Sequence, residues 1–67
     1  MKTYQVLKIN MEYVRTVDQY EHAKNEASVH YINGLSNVFD FCGGKLHRER
    51  CGYSGRIGKH EFVALPL

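Results

Sequence analysis

The sequence predicts an α+β domain: a small antiparallel sheet with one helix packed on one face, in the order β-α-β-β-β. Three observations carry this. Two segments near the chain ends, TYQVLKI (3–9) and HEFVALP (60–66), are rich in β-branched and aromatic residues and read as strands. Between residues 16 and 34 lies an alanine-containing stretch with cap signals at its start and Asn33-Gly34 at its end. The C-terminal half carries five of the six glycines, the punctuation expected of hairpins.

Taken in order, residues 3–9 form a first strand, and MEYVRTV (11–17) continues its character. Leu7, Ile9, Met11 and Tyr13 share one face while the chain stays extended, because side chains alternate along a strand. One long or bent strand with a bulge near Asn10 fits, as do two strands joined there. Asn10 alone is a slight turn signal, which favours the single strand. The helix start is marked twice, by Thr16 with Gln19 and by Asp18 with Glu21, each spaced as a capping box. Val17, Tyr20, Ala23, Lys24, Ala27 and Tyr31 then follow one stripe at helical spacings. Asn33-Gly34 is the stop, because glycine readily takes the left-handed conformation there. SNVFDFC (36–42) reads as a strand, Gly43-Gly44 as a hairpin turn and KLHRER (45–50) as the return strand. That register sets Cys42 opposite Lys45, Phe41 opposite Leu46 and Asp40 opposite His47. GYSGRIG (52–58) is a glycine-punctuated loop, and HEFVALP is the last strand, closed by Pro66.

Sixty-seven residues make one domain, 1–67. A chain this short buries only about 60% of the surface its unfolded form exposes, so the core is thin. A thin core does not also enclose a deep pocket. A non-enzymatic surface-binding module is therefore expected, without a cofactor. No apolar run approaches the ~20 residues that span a bilayer. MKTYQVLKIN has no signal-peptide h-region, so the two cysteines read as reduced thiols in a cytoplasmic setting, with no membrane partner.

The net charge is +2, but residues 42–60 alone contribute +4 and the remainder −2. A concentrated basic segment is evidence of an anionic partner in a way that a mildly basic pI is not. Lys45, Arg48, Arg50, Arg56 and Lys59, with Tyr53 as a stacking face, are the candidate partner-binding residues. Basic residues interleaved with an aromatic on a hairpin and loop can follow a phosphate backbone. The plainer reading of the same residues is a solvated hairpin with a mobile tip.

Other chemistries fit this segment less well. Cys42, His47, Cys51 and His60 supply a Cys2His2 set for zinc, but spaced C-x4-H-x3-C-x8-H, without the close ligand pair of structural zinc sites. In the predicted hairpin the two cysteines also stand about 20 Å apart, at ~3.3 Å per residue. That distance disfavours a disulfide as well. GYSGRIGKH departs from a P-loop twice: Tyr53 stands where the first glycine belongs, and His60 follows Lys59 in place of Ser or Thr. GRIG (55–58) matches the bare GXXG of KH domains without the two flanking helices. On the helix, His22, Glu26 and His30 share a face opposite the Tyr20/Ala27/Tyr31 stripe, the pattern of a polar helix surface. Cys51 among Arg48, Arg50 and Arg56 is a candidate thiolate, with His47 or His60 as possible bases, but the sequence does not place them together. Of the five tyrosines, Tyr20 and Tyr31 belong to the helix stripe and are assigned to the core. Any left exposed would be interface anchors.

In length and layout, an early strand, a capped alanine-containing helix and a hairpin-rich C-terminal half, the chain resembles the small proteins of phages and mobile elements that disable host machinery, some anti-CRISPR proteins among them. The resemblance implies an inhibitor that docks on a host protein or nucleoprotein complex. The sequence-level expectation is that residues 45–60 dock on an acidic or nucleic-acid-binding surface. Direct DNA or RNA binding by the same patch is the alternative, and a zinc-stapled mini-domain the second. Monomer and homodimer both remain open, since a thin core and uncovered edge strands favour association.

Overall fold

A computed structural model describes residues 1–67. The elements run β1 (Thr3–Asn10), α1 (Val17–Asn25), β2 (Ser28–Asn33), α2 (Leu35–Phe41), β3 (His47–Glu49), β4 (Gly52–Ile57) and β5 (His60–Pro66). The strands form one antiparallel sheet in the order β2-β1-β5-β4-β3. The α+β class and the antiparallel sheet stand as expected. The helix count and order do not, since there are two helices and the order is β-α-β-α-β-β-β.

β1 ends at Asn10 and does not run on to residue 17. The Asn10 side chain accepts a hydrogen bond from the Glu12 N–H at 2.9 Å, which turns the backbone out of the strand. Thr16 caps α1: its hydroxyl accepts from the Gln19 N–H at 3.2 Å while the Gln19 side chain accepts from the Thr16 N–H at 3.1 Å. The helix stops at Asn25, short of the predicted stripe's end, and Ser28–Asn33 pairs with β1. Ala27 and Tyr31 fit a helical spacing of four only as long as the helix continues. As a strand they fit the alternation equally well. Pairing wins because it satisfies the free backbone groups along β1. Val17 consequently stays 78% exposed and Tyr31 64% exposed, so neither is core.

The second correction is 36–42. Leu35, Val38 and Cys42 lie at helical spacing, and α2 lays them against the sheet with Val38 and Cys42 fully buried. Gly43 and Gly44, both at positive φ, close this helix: Gly44 N–H donates to Phe39 O at 2.7 Å and Gly43 N–H to Asp40 O at 3.1 Å. This is the Schellman pattern. A hairpin turn and a helix C-terminus both demand left-handed φ, so Gly43-Gly44 fits either one, and the helix end is what forms. The true hairpin turns are Arg50-Cys51, between β3 and β4, and Gly58-Lys59, between β4 and β5.

The third correction is the glycine-rich stretch 52–58, of which Gly52–Ile57 is strand β4 and not a loop. A Cβ on Gly55 would stand 1.9 Å from the Lys45 carbonyl oxygen, because residues 45–46 cross directly over it. That glycine serves close backbone approach rather than flexibility.

The core sits between the sheet and α2. Tyr4 and Val6 from β1, Phe62 and Ala64 from β5, and Val38 and Cys42 from α2 form one buried cluster, flanked by Ile32, Leu35, Leu46 and Tyr53. Ile9 is also fully buried, but its odd position puts it on the opposite face. There α1 covers one end of the sheet, and the Tyr20 hydroxyl donates to Glu61 at 2.8 Å. No helix is long and apolar enough to cross a membrane.

Candidate functional site: a basic cleft at the β3–β4 turn

β3 and β4 pair His47 with Ser54, Arg48 with Tyr53 and Glu49 with Gly52. Arg48 therefore shares a face with Tyr53, while His47 and Glu49 point the other way. Across β5, Tyr53 pairs with Ala64, and Tyr4 of β1 pairs with Pro66. These pairings bring the β3–β4 turn beside the start of β1. The result is an open cleft of about 290 Å³ lined by Lys2, Tyr4, Arg48, Arg50, Tyr53 and Pro66, together with Glu49, Cys51 and Gly52.

Its floor is aromatic. The Tyr4 and Tyr53 rings meet edge to face at 6.3 Å, and Phe39 from α2 meets Tyr53 in the same way at 5.7 Å. Tyr4 is buried and Tyr53 half-buried, so the floor is held rigidly by the core. Its rim is cationic. Lys2, Arg48 and Arg50 make no side-chain hydrogen bond and no ion pair within the protein. Glu49, the only acid in the lining, has its carboxylate against His47 at 3.5 Å and accepts from the Ser54 hydroxyl at 3.1 Å. Its carboxylate is engaged by His47 and Ser54 and forms no ion pair with the three cations.

The fold divides the six residues singled out in the sequence. Arg48, Arg50 and Tyr53 meet in the cleft. Lys45 crosses Gly55 outside it and is exposed. Arg56 lies toward the far end of β4, donating through Nε to Gly58 O at 3.1 Å, and Lys59 pairs with Glu12 at 3.4 Å. The predicted continuous patch over 45–60 is thus two separate groups, about a strand length apart, or ~16 Å at ~3.3 Å per residue. Lys2, Tyr4 and Pro66 were not legible as site residues. They join the site only through the β1–β5 pairing, which leaves no local signal.

The four thiol and imidazole groups weighed as zinc ligands are dispersed. Cys42 is in the core, where burial pushes its thiol up from its ordinary range. Cys51 is exposed at the hairpin tip, His47 faces Glu49 on the edge strand, and His60 stands at the opposite end of β5. No three His, Cys, Asp or Glu side chains converge anywhere in the chain. His22 pairs with Glu26 at 2.9 Å on α1, while His30 has moved to β2, its ring 4.7 Å from that of Phe41. Cys51 lines the cleft with Arg48 and Arg50, but neither His47 nor His60 lines it with them.

Comparison with protein families, with curated proteins and with solved structures finds no match for this chain, so its reading rests on the site itself.

Proposed function

We propose that the protein is a non-enzymatic binding protein that receives an acidic group of a partner protein in the Lys2/Arg48/Arg50 cleft. One observation carries this: three cations without internal partners surround a rigid Tyr4/Tyr53 floor. Charge steering sets the rate of encounter, and the guanidinium groups of Arg48 and Arg50 can hold a carboxylate with two parallel hydrogen bonds. Tyr53 and Pro66 give the stem of such a side chain an apolar surface to lie on.

The compactness of the site favours a protein over a nucleic-acid strand. A strand-following surface needs cations spread along a track, and here the track is interrupted, with Arg56 and Lys59 engaged locally. The layout that resembled small inhibitors of host machinery is altered at α2 and β2. A host protein or nucleoprotein complex as the target is accordingly proposed from the cleft and not from the layout.

The test is an NMR titration at low salt with hexaglutamate and, separately, with a single-stranded oligonucleotide. Hexaglutamate is expected to shift the resonances of Arg48, Arg50 and Tyr53, and Arg48→Glu with Arg50→Glu to abolish the shifts. Silence with hexaglutamate would overturn the reading. A response to the oligonucleotide alone would move the site to nucleic acid.

A further inference from the structure

The sheet has two edges, β2 and β3, and they differ in charge. β2, SVHYIN, holds no Lys, Arg, Asp or Glu. β3 carries Arg48 and leads straight into Arg50, two of the three free cations of the cleft. The register shows how this edge is presented. Glu49 and Gly52 flank the two-residue turn Arg50-Cys51, so they are a pair that exchanges main-chain hydrogen bonds. The next pair, Arg48 with Tyr53, is then a non-bonded one. The N–H and C=O of Arg48 consequently point away from β4, out of the sheet edge. Neither group takes part in the hydrogen bonds of the turns, loops and caps. One exposed residue thus offers an unpaired main-chain donor and acceptor together with a side chain that lines the cleft.

We propose that an extended acidic segment of the partner protein pairs with the β3 edge at Arg48, and that the residue opposite Arg48 supplies the carboxylate held in the cleft. This deepens the binding role proposed above and rests on it. The pairing is antiparallel, the sense of every other pairing in the sheet. Directly opposed residues on paired strands share a face, so an acid bonded to Arg48 through the main chain stands on the face of Arg48 and Tyr53. The residue two further along the segment returns to that face at the Arg50 end. The residues between them turn towards His47 and Glu49, where another acid would meet the Glu49 carboxylate. The edge therefore selects acids at every second position rather than a run of them. In β3 only Arg48 points its main chain outward, so charge supplies most of the affinity and the main-chain pair fixes the register.

Two end-capped peptides, TETETET with alternating acids and TTEEETT with the same acids in a run, test this by NMR titration of the whole chain at low salt. The alternating peptide is expected to bind at least threefold more tightly. It should also slow exchange of the Arg48 amide, which is fast in the free protein. N-methylation of its glutamates removes the donors that would face the Arg48 carbonyl and should weaken binding about fivefold. N-methylation of its threonines, whose N–H groups would face solvent, should leave binding unaltered. Equal affinity of the two methylated forms overturns the pairing, and so does an Arg48 amide that exchanges as fast in the bound state as in the free one. The cleft reading survives that result if Arg48→Glu with Arg50→Glu still abolishes the titration. Silence from both unmodified peptides overturns the pairing and the cleft reading together.

Discussion

The two faces of the sheet are built on the same strands yet differ in what completes them. On one face α2, only seven residues long, buries Val38 and Cys42 against Tyr4, Val6, Phe62 and Ala64. On the other, the nine-residue α1 has no fully buried residue and is held at one end, over Ile9 and beside Glu61. Helix length does not decide which helix matters. The number of apolar side chains set at the right spacing does, because stability follows the area removed from water.

The largest expected break falls on the closed face. Gly55→Ala places a methyl where the Lys45 carbonyl passes. Relief requires lifting residues 45–46 off the sheet, with an expected loss of about 3 kcal/mol or more. Urea unfolding with an unchanged midpoint would show that the crossing is not tight. Next, Val38→Ala opens a cavity in the cluster and should cost about 2 kcal/mol. Leu7→Ala, on the other face, should cost less than half of that. Equal losses from the two would remove the distinction between the faces.

A smaller effect tests how α1 is held. The Tyr20 hydroxyl is pushed up to about 12 by burial, then by its hydrogen bond to Glu61 and the charges of Glu61 and Glu21. A raised value means that the folded state holds the proton more tightly. The stabilisation is fully present below the ordinary tyrosine value of 10.0 and is lost as pH climbs towards about 12. Tyr20→Phe should lower stability by about 1 kcal/mol at neutral pH. It should also remove part of the alkaline loss, read as the native-minus-variant difference in unfolding midpoint between pH 9 and 12. A difference that stays constant across that window would mean that folding does not raise the hydroxyl's pKa. The smallest effect concerns the thiols. Cys51, exposed at the cleft, should react with a thiol reagent in the folded protein, and Cys42 only on unfolding. Equal labelling rates would contradict the burial of α2.

Much of the local chemistry was readable without the fold. The Thr16/Gln19 cap, the two terminal strands and the concentration of basic charge near Arg48 and Arg50 are short-range or compositional signals, and the structure retains all three. What failed was assignment where one residue pattern serves two structures. Ala27 to Tyr31 fits a helix and a strand. Gly43-Gly44 fits a hairpin and a helix end. The glycines of 52–58 fit a loop and a strand crossed closely by another segment. In each case the deciding contact lies far along the chain: β1 for β2, the sheet for α2, Lys45 for Gly55.

The candidate site shows the same division. Its arginines were evident from composition, because charge is a property of residues wherever the chain carries them. Their grouping was not, since Lys2 and Tyr4 reach Arg48 and Tyr53 only across β5. By itself the sequence determined the class of fold, one helix cap, the first and last strands of the chain and the sign of the site's charge. Tertiary pairing decided which face is closed, which cations stand free and which apolar side chains are left to water. Strand order is set by cooperative burial and hydrogen bonding among distant segments, and no local pattern encodes that choice.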